Sequence, residues 1–386
     1  MKKAKSILFK VKLTGNGIVN FDSVDQKRNF YGTNLQSRFG TKNNNNNVNY
    51  AKKRFYKKGT SLKDDGSEIT NLDYIICISS DSLRHDIFKM DANNQSPNIC
   101  HHNAILYSYI ASPANIIRGY MFTNDGGNNT IRRKTSVTIT GAQQTCDAHS
   151  TIEAFSRSGL KNSDINTVDN TFFYKEVVGD IKYEAFGSID LMQMQFVSCD
   201  PVFDRYCFNP DLFELYKSFL QSKMSNFNSE LGHYLQDGSS IDLAEYGFKF
   251  SDENIVQLTK EFFQRLLRLN IVRSGSYAKI EEIEYKLVYD CLEDKLGDDA
   301  GWESIRTKED VNNLDFETKS YYTKTEDSEK LKRAEEINTQ FIQNNLANKK
   351  AKAAAKAKEK AAKAKAKKLA EKEKAEAEAE AAKQNS

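Results

Sequence analysis

Two basic segments in the first third of the chain carry residue types that suit nucleic acid. Phosphates bind cations or backbone N–H donors, whereas unpaired bases stack on flat side chains. In NYAKKRFYKKG the cations alternate with aromatic residues, and the candidate contacts are Lys52, Lys53, Arg54, Phe55, Tyr56 and Lys57. In IIRGYMF the candidates are Arg118 and Tyr120, with Gly119 between them allowing close backbone approach.

Two later segments repeat this combination. IRRKTSVTITGAQQT sets three cations before a strand-like alternation, and its candidate contacts are Arg132, Arg133, Lys134, Ser136, Gln143 and Gln144. RLNIVRSGSYAK places Arg273, Ser274 and Ser276 in a glycine turn suited to an anion. Any one cluster is more commonly a solvated surface than a site, but the four together predict binding of single-stranded nucleic acid.

Other chemistry has weaker support in the sequence. CHH at 100–102 and CDAH at 146–149 contain metal-ligand residue types but match no zinc spacing. The histidines show no catalytic spacing, and a glycine-rich phosphate signature followed by a helix is absent. Asp22 and Asp25 follow the first strand, where a carboxylate could promote RNA cleavage, although both residue types are common in turns. We therefore expect no enzyme, no metal and no cofactor.

Positive charge is concentrated near the two ends of the sequence. The formal net charge of the 386 residues is only +3, yet residues 1–62 hold 14 Lys and Arg against two Asp. Residues 349–386 hold 13 Lys against six Glu, so the middle of the chain is strongly acidic. This separation favours a polyanion bound by one face, with the acidic remainder meeting other basic surfaces. Uneven surface charge without a partner is the alternative.

Hydropathy argues against a membrane-spanning protein. Mean hydropathy is -0.66, and no stretch approaches the roughly 20 apolar residues that a membrane helix needs. Lys10 and Lys12 interrupt what would be the apolar core of a signal peptide, and the six cysteines are scattered. We expect a cytoplasmic protein with free thiols.

The local patterns predict an α+β fold. SILFKVKLTGNG, LDYIICISS and TSVTITG read as strands. Helices are predicted after an N-cap at Ser80 or Asp81, after Asn209 and after Ser251. FFYKEVVGDIKYEAF contains two alternating runs around 179–180, which predicts a hairpin there. A charged helical extension is expected over 301–348, followed by a low-complexity Lys/Ala/Glu tail over 349–386 with high helix propensity but no apolar face.

Three stretches of the sequence resemble a known family. They are IIRGYMFT, RRKTSVTITGAQQT, and FSRSGLKN leading into FFYKEVVGDIKYEAFGSIDLMQMQFVSCDPVFDRY. Together they resemble the repeated backbone subunit, the Cas seven family, of CRISPR-guided surveillance complexes of the Cascade type, most like the type I-F variant form. The resemblance covers roughly Ser6 to Ala278 and does not explain the Lys/Ala-rich tail.

The resemblance implies an RRM-like (ferredoxin-like) antiparallel sheet palm over residues 1–300, with inserted finger and thumb elements. A basic loop at about 31–62, including Arg38 and Lys42, would close over RNA or a heteroduplex, and a thumb hairpin at about 157–198 would include Arg157. Arg118 to Tyr120 and Arg132 to Ser136 would contact the backbone of the guide on the palm.

The resemblance also implies a function and a set of partners. Copies would polymerise along a guide RNA and present it for pairing with target DNA, without catalysis, while other CRISPR subunits and a recruited nuclease complete the system. Two alternatives stay open: a backbone subunit that cleaves target RNA through Asp22 or Asp25, and an unrelated RRM-like protein that binds single-stranded RNA.

Overall fold

The computed structural model describes residues 3–22, 48–51, 53–62, 68–89, 103–123, 130–146, 150–160, 168–202, 206–273, 275–289, 301–344 and 347–348. Its strands are β1 (Ser6–Asn16), β2 (Phe21–Asp22), β3 (Val48–Ala51), β4 (Lys53–Leu62), β5 (Glu68–Ile78), β6 (Tyr120–Thr123), β7 (Thr130–Arg133), β8 (Val137–Ile139), β9 (Ala142–Gln144), β10 (Ser150–Leu160), β11 (Val168–Val178), β12 (Asp180–Asp190), β13 (Phe196–Ser198), β14 (Gly232–Gln236), β15 (Glu245–Lys249), β16 (Asn270–Arg273), β17 (Ser276–Val288), β18 (Glu303–Ile305) and β19 (Tyr322–Lys324). Its helices are α1 (Ser80–Phe88), α2 (Asn103–Ile110), α3 (Pro113–Arg118), α4 (Leu191–Gln195), α5 (Phe213–Lys223), α6 (Asp252–Leu267), α7 (Lys308–Asn312) and α8 (328–344).

The main sheet is antiparallel and has the strand order β16-β17-β1-β12-β9-β5-β4. β18 adds to β17, and β8 pairs with β12 beside β9. β1 is an interior strand of this sheet, because it pairs along its whole length with β12 on one side and β17 on the other. This mixture of helices with an antiparallel sheet confirms the prediction of an α+β fold.

One face of the main sheet forms the core with α6. Successive side chains of a strand point to opposite faces, so one face of β1 is buried on the helix side, namely Ile7, Phe9, Val11 and Leu13. Phe9 meets Phe262 and Phe263 of α6 with ring centroids 5.3 and 6.2 Å apart. Gly187 of β12 makes room, since a Cβ there would lie 2.1 Å from the Phe9 ring.

The predicted helix starts are largely confirmed. The Ser251 hydroxyl accepts a hydrogen bond from the Asn254 N–H at the start of α6, as an N-cap should. Asn209 caps a short 3₁₀ turn, Pro210–Leu212, that leads directly into α5. The N-cap of α1 is Ser79, one residue before the predicted position.

The hairpin predicted at 179–180 is wrong. β11 pairs with β10 in a second sheet, whereas β12 pairs with β1 in the main sheet. Gly179 therefore links two sheets, and the predicted thumb segment at 157–198 contains strands of both. Alternation predicted the strands correctly, but it reports only that each is half-buried and does not identify the partner strand.

Residues 301–324 are integrated into the fold, which corrects the prediction of a helical extension beginning at 301. β18 pairs with β17, and β19 pairs with β14 in a sheet ordered β13-β15-β14-β19. The buried amide of Gln195 accepts from the Tyr321 N–H at 3.0 Å. Only α8 is a long helix among the described residues of this part of the chain, and the tail over 349–386 lies outside them.

Candidate nucleic-acid interface

The segments IIRGYMF and IRRK are brought together as one hairpin. α3 ends at Arg118, β6 begins at Tyr120, and β6 pairs antiparallel with β7. In this register Tyr120 faces Arg133 and Met121 faces Arg132. Two motifs that the sequence separates by about ten residues therefore share two neighbouring strands.

The inner face of this hairpin is built into the protein. The Tyr120 side chain is buried and its hydroxyl donates to the Cys207 carbonyl at 3.0 Å. Burial raises the pKa of Tyr120 well above its ordinary value. Phe122 packs edge-on against Tyr109 at 5.5 Å. Tyr120 is therefore a framework residue, which corrects its prediction as a contact with RNA.

Arg133 is also a framework residue, although the sequence predicts a phosphate contact. Its buried guanidinium donates to the carbonyls of Ile116 at 2.9 Å and Phe196 at 2.8 Å. It donates further to Gln193 at 3.1 Å and Met194 at 3.2 Å. These last two carbonyls belong to α4, and such free carbonyls near a helix end favour a cation. The charge is therefore enclosed by backbone oxygen atoms.

Gly119 is required by the backbone of the hairpin itself. Its φ is +76°, and a Cβ at this position would lie 2.5 Å from the Arg133 carbonyl oxygen. Ser136, two residues beyond the cations, is buried and donates to the Ile117 carbonyl at 3.2 Å. The close approach predicted for Gly119 is thus an approach to the 133–135 backbone.

The outer face of the hairpin retains three of the predicted cations. Lys134 is exposed, Arg118 and Arg132 are half-buried, and Met121, which pairs with Arg132, has 69% of its surface exposed. Gly119 brings the end of α3 against the backbone at Lys134. We call Arg118, Met121, Arg132 and Lys134 the hairpin surface. Met121 is not among the predicted contacts, although its alternation with Tyr120 and Phe122 places it outward.

The paired glutamines lie on β9 of the main sheet and serve different purposes. Gln144 accepts from the Ile76 N–H at 3.1 Å and donates to the Cys146 carbonyl at 2.6 Å. Its amide therefore ties β5 to the end of β9. Gln143 is half-buried and stands opposite Glu184 of β12. Neither belongs to the hairpin surface.

The glycine turn after β16 is occupied by an internal ion pair. Arg273 donates to the buried Asp86 carboxylate at 2.6 Å and to the Ser82 hydroxyl at 3.1 Å. Ser276 is buried, and its hydroxyl would collide with a Cβ on Gly17. Both side chains therefore stabilise the fold, and the anion site at Arg273, Ser274 and Ser276 stays a prediction. Ser82 and Asp86 stand four residues apart in SDSLRHDIF, a spacing that puts them on one helix face.

For the remaining predicted contacts, the structure gives no side-chain positions. Arg38, Lys42, Lys52 and Ser274 lie outside the described residues, as do Asp25 and the histidines at 101, 102 and 149. The structure gives the backbone but no side-chain placement for Lys53, Arg54, Phe55, Tyr56 and Lys57 on β4, for Arg157 on β10 and for Asp22 on β2. Their roles stay predictions.

On the face of the main sheet opposite α6, charged side chains neutralise one another. Lys12 Nζ lies 2.9 Å from Glu282 and 2.7 Å from Glu284, and Arg306 also pairs with Glu282. Hydrogen bonds from Lys12, Arg306 and Ser304 lower the pKa of Glu282 to about 2. Lys10 stacks over the Trp302 ring at 4.2 Å. Each of these cations already has a carboxylate or an aromatic ring as its partner.

Two other kinds of site are absent from the described part of the chain. His, Cys, Asp and Glu side chains there form no group of three or more that could hold a metal ion. Among the same residues, no helix combines the length and apolar character needed to cross a membrane. The four described cysteines, at 77, 146, 199 and 207, form no disulfide bond.

Three comparisons with known proteins concern the identity of the chain. Comparison with curated proteins gives no match. A chain of the cryo-EM structure of the type III-B Cmr-beta bound to cognate target RNA is 9% identical, with a TM-score of 0.27; the match covers 52% of this chain and about half, 51%, of that one. A chain of a CRISPR RNA-guided surveillance complex is 10% identical, with a TM-score of 0.24, over 77% of this chain and 92% of that one. Both TM-scores are too low to establish a shared fold.

The family comparison is the decisive one. A family model described as "Type I-Fv CRISPR-associated protein Cas7fv-like" matches residues 3–323, which is most of the sequence. The match includes the hairpin surface and the strand β18, and it ends within β19. The chain therefore belongs to the Cas7fv-like family of type I-Fv CRISPR-associated proteins.

Proposed function

We propose that this protein holds the guide RNA of its CRISPR complex on the hairpin surface, by contacts of Arg118, Arg132 and Lys134 with phosphates. The family match confirms the predicted identity of the chain as a backbone subunit that binds CRISPR RNA in a type I complex. The alternative, an RRM-like protein unrelated to CRISPR systems, is therefore wrong. What remains to be assigned is the surface that the RNA occupies.

The observation that carries the proposal is the division of the hairpin into two faces. Arg133 is enclosed by four carbonyl groups, whereas Lys134 on the next position is exposed. Phosphate binding needs cations that water and nucleic acid can reach. The exposed Lys134 on the outer face meets this requirement, whereas Lys10, Lys12 and Arg306 on the main sheet are each engaged by a carboxylate or an aromatic ring.

We also propose that the palm is RRM-like in its connections. The strands β17-β1-β12-β9 stand in this spatial order, with α1 between β1 and β9 in the chain and α6 between β12 and β17. A ferredoxin-like βαββαβ unit has this arrangement. The second sheet, β10-β11-β3-β2, then supplies the inserted elements, and the hairpin β10–β11 is the candidate thumb.

The further partners belong to the same proposal. Copies of the protein would stack along the guide RNA in the cytoplasm, and the guide would pair with target DNA, with cleavage left to a recruited nuclease. The basic loop containing Arg38 and Lys42, and the Lys/Ala-rich tail, would add contacts to phosphate. RNA cleavage through Asp22 or Asp25 is the remaining alternative. Incubating the guide-loaded protein with complementary RNA and magnesium tests it, because regular cleavage products would favour it.

The assignment of the surface is tested by sequencing the RNA that co-purifies with the protein and by measuring its amount. The full chain, expressed with its CRISPR array, should retain repeat-spacer transcripts. At the same salt concentration, the double variant Arg118→Ala/Lys134→Ala should retain at most about one tenth of the RNA that the unsubstituted protein retains. A matched control is Lys308→Ala/Lys332→Ala, which removes two exposed cations from α7 and α8. Equal RNA retention in both double variants would refute the hairpin surface as the binding site.

A further inference from the structure

A cavity of about 540 Å³ lies between the N-terminal half of α6, the turn at 225–226 and the segment 315–317. Phe316 and Val256 supply apolar surface to its lining. The lining also includes four carboxylates, those of Asp252, Glu253, Asp315 and Glu317. We call this cavity the acidic groove. Because carboxylates repel phosphates, its ligand should be a cation with an apolar part rather than nucleic acid.

The charge of the acidic groove is largely uncompensated within the protein. The lining contains one cation, Lys260, and no salt bridge among the described residues involves any of the four carboxylates. Asp252 accepts from the Thr318 hydroxyl, which is a neutral donor. Acids in the first turn of α6 also suit the helix dipole, but Asp315 and Glu317 lie outside that helix.

A buried acceptor at the wall of the acidic groove lacks a donor. Asn254 is 1% exposed, and its Nδ2 donates at 3.1 Å to the carbonyl of Ser225, which lines the groove. Its Oδ1 has no hydrogen-bond partner among the described residues. Buried acceptors are usually paired. This wall therefore favours a ligand that donates hydrogen bonds, as an ammonium group does.

The C-terminal tail of the chain has the matching chemistry. Residues 349–368 consist of ten Lys, nine Ala and one Glu. A lysine stem can cover apolar surface such as Phe316 and Val256 while its ammonium group meets a carboxylate. The small Ala side chains allow the tail to approach closely. These residues lie beyond the match to the family model, which ends at 323, so family membership assigns them no partner.

We propose that the acidic groove binds the Lys-rich half of the chain's own tail, residues 349–368. This segment spans about 30 Å as a helix and up to about 70 Å when extended. A segment linked to its site is present at an effective concentration in the millimolar range, which favours the chain's own tail over that of another copy. The inference goes beyond the proposed function and does not depend on the hairpin surface.

Carbodiimide cross-linking tests the contact in the full chain after its RNA has been removed in high salt. The reagent joins a carboxylate to a lysine amine that touches it, and mass spectrometry identifies the joined peptides. Asp315→Asn/Glu317→Gln removes two charges from the groove with little change in side-chain size. The matched control is Glu214→Gln/Glu309→Gln, which neutralises two exposed acids on α5 and α7. The rate at which trypsin cuts the tail is the second measurement.

We expect cross-links from residues 349–368 to Asp252 and Glu253, which are unchanged in both double variants. Asp315→Asn/Glu317→Gln should lower the yield of these cross-links at least about threefold and speed cutting of the tail by a similar factor. The control should behave like the unsubstituted protein. About 0.5 M salt should also release the tail, because it screens exposed charges.

Three results would overturn the inference. One is equal cross-link yields and cutting rates in the two double variants, and another is a tail that cross-links mainly to acids outside the groove. The third comes from mixing isotope-labelled with unlabelled protein, because cross-links between a labelled and an unlabelled peptide would mean that another copy supplies the tail. Arg118→Ala/Lys134→Ala should leave the tail cross-links unchanged, so failure of this inference is distinguishable from failure of the proposed function.

Discussion

The guanidinium of Arg273 donates to the buried carboxylate of Asp86 at 2.6 Å and so joins β16 to α1. The same guanidinium reaches the Ser82 hydroxyl and the Val19 carbonyl. An arginine beside a glycine turn therefore neutralises a buried acid of a helix nearly 190 residues earlier in the chain. The Arg273–Asp86 ion pair should stabilise the folded protein, and it should have little effect on RNA binding.

Replacing Arg273 by Ala should lower the free energy of unfolding by about 2 kcal/mol, because Asp86 would lose its nearest partner inside the protein. Lys89 remains 3.7 Å from the other carboxylate oxygen and limits the loss. Urea unfolding measures the change. Arg84→Ala is the control, since the Arg84–Asp81 pair is exposed and should contribute less than about 0.5 kcal/mol. Equal effects of the two substitutions would contradict this role of Arg273.

Arg133 and Lys134 should differ sharply, although they are neighbours of the same charge. Arg133→Met should cost about 3 kcal/mol, because it removes the donors to four carbonyl groups. Lys134→Ala should change the free energy of unfolding by less than about 0.5 kcal/mol, since the side chain is exposed. Chemical denaturation of both variants checks the difference. A stable Arg133→Met protein that has lost RNA would show that Arg133 contacts RNA after all.

Gly119→Ala should disrupt the hairpin surface through the backbone. The new Cβ would meet the Arg133 carbonyl oxygen at 2.5 Å, in addition to the strain of a positive φ. Gly238→Ala is a matched control, because Gly238 has nearly the same φ of +75° but open space around its Cβ position. We expect Gly119→Ala to be at least about 1 kcal/mol more destabilising. Thermal or urea unfolding of the two variants would reveal whether the collision matters.

Salt dependence should reveal how many phosphates the hairpin surface neutralises. For a single strand, the slope of log K against log salt becomes shallower by about 0.7 for each phosphate that the protein no longer neutralises. Arg118→Ala and Lys134→Ala should each reduce the slope by about that amount and weaken binding to all RNA sequences alike. Titrations between about 50 and 200 mM salt measure it. An unchanged slope would place these cations away from the phosphates.

The ion pairs around Glu282 should make stability depend on pH in the acid range. The pKa of Glu282 is lowered to about 2, mainly by its hydrogen bond from Lys12. A lowered pKa in the folded state stabilises the protein above the ordinary glutamate pKa, and this stabilisation is lost as pH falls toward 2. The difference in unfolding free energy between the protein and Glu282→Gln should therefore shrink between about pH 5 and pH 2. A constant difference over this range would argue against the network.

Local patterns predicted the elements of the fold better than their partners. The sequence predicts Ser251 and Asn209 as caps because a hydroxyl or amide before a helical run can accept a hydrogen bond from a backbone N–H of the first turn. The partner of β12 could not be predicted in this way, because β1 lies more than 160 residues away in the sequence. The family resemblance, by contrast, depended on short motifs and is confirmed by the match over residues 3–323.

The same limit applies to the candidate site. Arg132, Arg133 and Lys134 have equivalent charge in the sequence, and only the structure separates the enclosed cation from the exposed one. The carbonyls that enclose Arg133 come from Ile116 and from residues 193–196, whose position relative to β7 no local pattern reports. Burial of a charge depends on such distant partners.

The central position of β1 has a consequence for the order of folding during synthesis. Its two partners, β12 and β17, leave the ribosome long after it; the Lys12–Glu282 contact spans 270 residues. Contacts this distant form slowly, and an unpaired strand edge favours aggregation in the interval. The sheet β10-β11-β3-β2 can be completed earlier because it ends at residue 178. The palm of the nascent chain therefore closes only when β17 has emerged, so truncation before Ser276 should leave β1 without one of its partners.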